Sequence, residues 1–309
     1  MSSLLTNSTA MTALQTLRSV SSQLASTQTR ISTGQRVSTA SDNAAYWSIA
    51  TSMRSDNAAL SAVSDSLGLS AATVDTEYTA LNTVIGDKDS GLTKLQALLV
   101  EAKTAGIDRT KIQADITQIQ QDMKLKANSA TFNGINWLST TATTPTTFSL
   151  VSSYSRVGGT PTIGSITVTT ASYALYTTGG ATQTGILDTV TGNSTTGFAS
   201  VDNMSISALT DSAANQATLD AYIAQVTTAI NTVASAAANL GAVKNRLATN
   251  TEFVKTLMDS VDRGVGQLVD ADMNAESTRL QALQTQQQLG VQALSIANAN
   301  SQSILSLFR

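Results

Sequence analysis

The 309-residue chain contains no cysteine and no histidine. Without thiols it has neither a disulfide framework nor a thiolate metal site. Without imidazole it lacks the side chain most used for metal binding and for proton transfer near neutral pH. Paired carboxylates remain open for acid–base work, but Asp and Glu fall mostly singly along helical patterns, as on solvated helix faces. No enzyme activity, metal or cofactor is therefore expected. Aromatics make up 4% and charged residues 13%. Ala, Leu, Ile, Val, Ser and Thr must then fill the interior, which suits thin helical layers better than a deep core. A net charge of −3 with no Lys or Arg cluster supplies no field for a phosphate backbone, so nucleic acid is not an expected partner. No apolar run approaches the ~18 residues of a membrane span, and no membrane insertion is expected. The first charged residue is Arg18, so the basic n-region of a secretory signal is missing.

What the chain has is period seven. Leu60, Leu67, Val74 and Leu81 recur at intervals of seven after Met53, with Ile49, Val63 and Val84 on a second row. The C-terminal half repeats the device with Leu219, Val226, Val233, Leu240, Leu247, Val254 and Val261, flanked by Tyr222, Ile223, Ile230, Val243 and Leu257. Such rows predict helices that supercoil around partners, with these residues as the core of a long rod. Ile112, Ile116, Ile119 and Met123 mark a third helix, and Leu92, Leu95, Leu98 and Leu99 a fourth, after the break GDKDSG at 86–91.

The two ends carry narrower stripes, with Ala10, Leu17, Leu24 and Ile31 at one and Leu280, Leu283, Leu294, Ala297, Ile304, Leu305 and Phe308 at the other. Isolated helices of this composition are marginal in water. Pairing the ends would still leave Leu4, Leu5, Leu289, Val291, Ile296 and Leu307 uncovered, so the ends are expected to be loose in the monomer and to fold on assembly. Between the first stripe and the rod lies RISTGQRVSTASDNAA. There Gly34 offers a helix stop, and Ser41 and Asp42 are expected to cap the next helix.

Between Thr140 and Asn203 lie both prolines and eight of the eighteen glycines, with only Arg156, Asp188 and Asp202 charged. Alternation in SITVTT and FSLVSSY predicts short strands, and FNG at 132–134 a type I′ hairpin turn. Gly158–Gly159 and Gly179–Gly180 lack the strand, helix and Lys of a phosphate loop and read as turns. The expected fold is mainly α: a long antiparallel coiled-coil or helical-bundle rod made from both chain ends, with a small β-rich insertion at its tip.

This order of segments, with RISTGQRVSTASDNAAYWSIATSMRSD at 30–56, LGAVKNR at 240–246, VDADMNAE at 269–276 and ALSIANANSQSILSLFR at 293–309, resembles bacterial flagellin. Tyr46-Trp47 after DNAA and the reduced middle resemble the alphaproteobacterial, rhizobial-type branch. The resemblance implies a subunit that polymerises through its terminal helices into the flagellar filament and is exported through the flagellar type III apparatus without a cleaved signal peptide. It implies an inner-tube domain of residues 1–40 and 265–309, a helical rod domain of 41–140 and 205–264, and a variable outer domain of 141–204. Gly34, Arg36, Ser41 and Asp42 would join tube to shell, opposite Arg263 to Asp270, where Gly264 and Gly266 are expected to break the returning helix.

The implied partners are further copies of the chain, other flagellins of the same filament, an export chaperone, the filament cap and the hook–filament junction proteins. In the stretch the animal innate receptor reads in other flagellins, Lys94, Gln96 and Leu98 stand in LTKLQALLVEAK, and Asp115 replaces a family Glu. Weak or no receptor activation is the expectation. A junction protein shares the terminal helices, but both terminal signatures match flagellin. A metalloprotease-bearing flagellin needs two His on one helix face, which this chain lacks. The Thr-rich insertion is the only support for an adhesin or glycan-bearing surface, and solvated turns account for it as well.

Overall fold

A computed structural model describes residues 7–141, 147–157, 159–178, 183–190 and 200–307. Among the described residues six α-helices frame the chain: α1 (Ser8–Thr33), α2 (Ala44–Ile85), α3 (Gly91–Glu101), α4 (Arg109–Ser129), α5 (Ala213–Val269) and α6 (Met273–Leu307). Between α4 and α5 lie four strands, β1 (Ser139–Thr141), β2 (Thr147–Val157), β3 (Thr160–Thr169) and β4 (Tyr176–Thr178). The fold is thus mainly α with a small strand-bearing middle, as the periodicities predict. By compactness the chain divides into two units, one of Met1–Ala58 with Leu257–Arg309 and one of Ala59–Thr256.

In the second unit the heptad rows are the core. Leu60, Leu67, Val74 and Leu81 of α2 and Val226, Val233, Leu240, Leu247 and Val254 of α5 are all buried, because residues seven apart share one stripe and meet a facing helix. The two helices run antiparallel, with Lys244 Nζ 2.6 Å from Asp75 Oδ1 and Gly241 facing the Tyr78 ring. Leu92, Leu95 and Leu99 of α3 and Ile116 and Met123 of α4 close the layer. Arg109 ties the α3–α4 turn to the chain entering α5. Its guanidinium donates to the Ala102 carbonyl (2.9 Å), the Leu209 carbonyl (3.2 Å) and Asp211 Oδ1 (2.6 Å).

The second row of α2 continues as Val63, Ser70, Glu77 and Val84, and all four are buried. Glu77 is wholly enclosed; its Oε1 accepts the backbone N–H of Trp137 at 2.8 Å while its Oε2 has no partner. Burial pushes its carboxyl up to about 8, the Trp137 hydrogen bond opposing only part of that rise. The sequence placed Ile49 on this row as well, yet Ile49 is exposed, and its neighbour Ala50 faces the core instead.

FNG forms the expected turn: Phe132 and Ile135 pair, with Asn133 at φ 50° and Gly134 at φ 78°, both positive as type I′ demands. β2 and β3 form an antiparallel hairpin with an irregularity between Val151 and Ser153. Its inner face buries Leu150, Ile166 and Val168, and Phe148 lies with its ring centroid 5.8 Å from that of Trp137. β1 pairs in parallel with β4, a contact between three-residue strands that no local pattern signals. Gly159 turns the hairpin at φ 85°; Gly158 and the pair Gly179–Gly180 lie outside the described residues.

Candidate polymerisation site

The first unit is built on α1 and α6. Asn7 starts α1, its side-chain oxygen accepting the Ala10 N–H at 3.0 Å and its amide donating to the Ala297 carbonyl at 3.0 Å. Ten residues on, Leu17 lies so close to Gly290 that a Cβ there would sit 3.0 Å from Leu17 Cδ1. Near the far end of α1, Arg30 donates to Glu276 Oε1 at 3.0 Å. These three pairings make α1 and α6 an antiparallel pair within one chain. Residues 8–33 and 273–307 are therefore helical and packed on each other. Each supplies the other with a partner stripe, and helical stability comes mainly from such packing.

The pairing hides little. Leu17, Leu24 and Ile31 of α1 and Leu294 of α6 are only half-buried, while Val20, Thr27, Leu283, Glu276 and Ala297 go deeper. On α6 the inner row is Glu276, Leu283, Gly290, Ala297, again spaced by seven; Leu283 and Ala297 belong to the stripe the sequence shows, and Glu276 and Gly290 join it although one is charged and the other has no side chain. Leu289, Val291 and Ile296 are exposed as expected, and so are Met11 and Leu14. Ile304 and Leu305 fall within α6; Leu4, Leu5 and Phe308 lie outside the described residues.

The joint has a different anatomy from the one expected. Gly34 does end α1, in the left-handed conformation at φ 70° and ψ 4°, which a glycine adopts without Cβ strain. Asp42 does not cap α2. Its Oδ2 accepts the N–H groups of Ser38 (3.1 Å) and Thr39 (2.9 Å), closing the turn upstream, and Ser41 only shares a hydroxyl contact with Thr39 at 2.7 Å. The Thr39 N–H, with the hydroxyls of Thr39 and Ser38 and the Ser38 N–H, holds the Asp42 carboxyl below its usual range. The cap is the next residue, Asn43, whose Oδ1 accepts the Tyr46 N–H at 3.1 Å.

Gly264 and Gly266 do not break α5, which runs on to Val269. Gly264 instead admits Met53, whose Cε would lie 2.9 Å from an added Cβ. Around that contact Ala50, Val265 and Val269 form a small core with Met53, Val261 and Leu268 packed against it. The returning chain meets the joint at Leu268–Ala271. The Arg36 N–H donates to the Val269 carbonyl at 2.6 Å, the Arg36 guanidinium to the Leu268 carbonyl at 3.1 Å, and the Ala271 N–H to the Gly34 carbonyl at 2.9 Å.

Of the residues in the receptor-matching stretch, Lys94 is half-buried, Leu98 is buried and Asp115 is exposed. Gln96 donates to Thr227 Oγ1 on α5 at 2.8 Å, so it serves the helix bundle. Among the described residues no group of three or more acidic, His or Cys side chains could hold a metal ion, and no helix is long and apolar enough to cross a membrane.

Comparison with known proteins joins these observations. Residues 4–143 match the bacterial flagellin N-terminal helical region, and residues 223–308 the bacterial flagellin C-terminal helical region. The chain is 46% identical to a flagellin of Brucella melitensis biotype 1 and 44% identical to flagellin C of Rhizobium meliloti (strain 1021), each match covering 100% of both chains. It is 39% identical to flagellin A of Rhizobium meliloti, again over the whole of both chains. The two matched regions hold α1 to α4 and most of α5 and α6, and leave the strand-bearing middle largely to the chain's own sequence. A chain whose two ends pair as helices, keep an apolar face uncovered and match both terminal regions over this length belongs to the bacterial flagellin family.

Proposed function

We infer that this flagellin is a structural subunit, not an enzyme, and that it polymerises through α1 and α6 into the helical filament that serves as the bacterial propeller. The observation that carries the reading is the half-covered α1–α6 pair, with Leu289, Val291 and Ile296 left in solvent although the helices are already paired. Apolar residues in that position gain free energy only when another copy covers them. Residues 1–40 with 265–309 form the inner tube in this proposal, residues 41–140 with 205–264 the surrounding rod, and 141–204 the outer face. Export proceeds through the flagellar type III apparatus without a cleaved signal peptide, with an export chaperone, the filament cap and the hook–filament junction proteins as partners. Other flagellins can share the filament.

The test is truncation. Removal of residues 1–30 or of 280–309 is expected to leave a soluble helical monomer that forms no filament. Long filaments from either truncation, seen by negative-stain microscopy, would overturn the assignment. Activation of the animal innate receptor is proposed to be weak, because Gln96 is engaged with Thr227 and Leu98 is buried. Full potency of purified monomer in a reporter-cell assay would contradict that.

A further inference from the structure

Tyrosine, tryptophan and phenylalanine are only 4% of this chain, yet two of them stand side by side at the surface in the first turn of α2. Tyr46 is 41% exposed and Trp47 37%, and Ile49, three residues after Tyr46 on the same helix, is 50% exposed. The other tryptophan, Trp137, is fully buried. Nothing in the folding of the first unit calls for this display, since Ala50 and Met53 already make the contact of α2 with Val261, Val265 and Val269.

The patch is also held in place. Asn43 caps the helix turn that carries it. The Arg36 guanidinium, fastened to the Leu268 carbonyl, lies 5.9 Å from the Tyr46 ring centroid. Tryptophan, tyrosine and arginine on rigid backbone are the residues that dominate binding energy at protein interfaces, and a fixed display loses little entropy on docking. Of the fifteen large apolar residues that stand exposed among the described residues, nine belong to the first unit. Six of those nine are on α1 and α6, and the other three are this patch.

We propose that Tyr46, Trp47 and Ile49, steadied by Arg36, are a second and separate docking face for another copy of this chain. The proposal rests on the filament reading above. An open helical polymer needs heterologous contacts, in which each copy presents two different complementary faces. The α1–α6 pair supplies one apolar face, and the α2 aromatic patch, on a different element, supplies the other.

The experiment needs no variant at first. Acrylamide quenching of tryptophan emission is measured on intact monomer and on sedimented filaments. Trp137 is shielded in both states, so the quenchable component reports Trp47. It is expected to disappear on assembly, with a blue shift of the emission. Trp47→Ala is expected to raise the critical concentration for polymerisation by about tenfold or more, with the far-UV circular dichroism of the monomer unchanged; Tyr46→Ala should act in the same direction. Filaments in which Trp47 stays fully quenchable would overturn the proposal while leaving the filament reading intact. So would Trp47→Ala assembling at the wild-type critical concentration, and a loss confined to secretion would assign the patch to an export partner instead. Wild-type protein that forms no filaments would overturn both.

Discussion

Glu77→Gln tests the core of the second unit most sharply. Glu77 is 0% exposed, its carboxyl is raised from 4.5 to about 8 by burial, and one of its oxygens is without a partner. Below pH ~4.5 the group is protonated both in the folded and in the unfolded chain and does not affect stability. As pH rises above that value the unfolded chain releases its proton while the folded chain keeps it, so folding must hold a proton against solution. Stability therefore falls by about 1.4 kcal/mol per pH unit until the folded carboxyl itself titrates near 8. Integrated, the cost is about 3 kcal/mol at pH 7 and about 5 kcal/mol at pH 9. Glutamine cannot ionise, and its Oε1 can still accept the Trp137 N–H. Its amide nitrogen brings two N–H donors to the unpartnered position where the protonated carboxyl has one O–H, and the extra unmet donor is a fixed penalty of about 1–3 kcal/mol that is independent of pH. The variant should thus be less stable than wild type at pH 4 and gain on it steadily, by about 3–5 kcal/mol in all, by pH 9. Urea unfolding followed by circular dichroism across that range measures the difference, in which the titration of distant groups cancels. A difference that stays flat within about 1 kcal/mol, below the 1.4 kcal/mol equivalent to one pKa unit, would show that Glu77 does not carry its proton in the folded chain.

Two further substitutions address the first unit. Arg30→Ala leaves the Glu276 carboxylate, whose side chain is 11% exposed, facing α1 with no cation. About 2 kcal/mol of stability should be lost, below the range for a fully buried pair because Arg30 is itself a third exposed, and Glu276→Gln in the same chain should restore part of it in a double-mutant cycle. Gly34→Ala forces a Cβ into a conformation at φ 70°, worth about 1–2 kcal/mol of strain, with no atom within 4 Å to add a clash. Filament waveform should change while monomer melting falls by only a few degrees, and filaments indistinguishable from wild type would remove Gly34 from the joint.

The seven-residue rows were legible because periodicity is local: Leu67, Val74, Val233 and Leu240 announce their stripe whatever they pack against. Glu77 stood on the same stripe in plain view. A charged residue at an apolar position breaks the pattern that identifies the position, and the partner of Glu77, the Trp137 backbone, is sixty residues away. Glu276 and Gly290 interrupt the inner row of α6 in the same way, one charged and the other without a side chain. Gly264 and Gly266 misled in the opposite sense. Glycine costs a helix about 1 kcal/mol relative to alanine and so reads as a break, but at Gly264 the missing side chain lets Met53 come close. The cap at the joint was misplaced by one residue, since Asp42 and Asn43 are equally good capping types. Only the folded turn shows that Ser38 and Thr39 have already engaged the aspartate.

The depth of burial along these rows also separates the two units by role. In the second unit Leu67, Val74, Leu81 and Leu240 are wholly buried, and α3 and α4 add their own buried residues, with Gln96 of α3 bonded to Thr227 of α5. Among the described residues the main packing partner of α1 is α6, and two helices alone can each hide only one narrow stripe. The α1–α6 interface is accordingly one narrow stripe, with Val20 and Thr27 of α1 and Leu283 and Ala297 of α6 buried, while Leu17, Leu24 and Leu294 stay half-covered. Covering them from within the chain would need another layer. Covering them with copies of the same pair makes the stability of the terminal helices depend on protein concentration through mass action. On the filament reading proposed above, a substitution that completed this interface internally would stabilise the single chain at the expense of assembly.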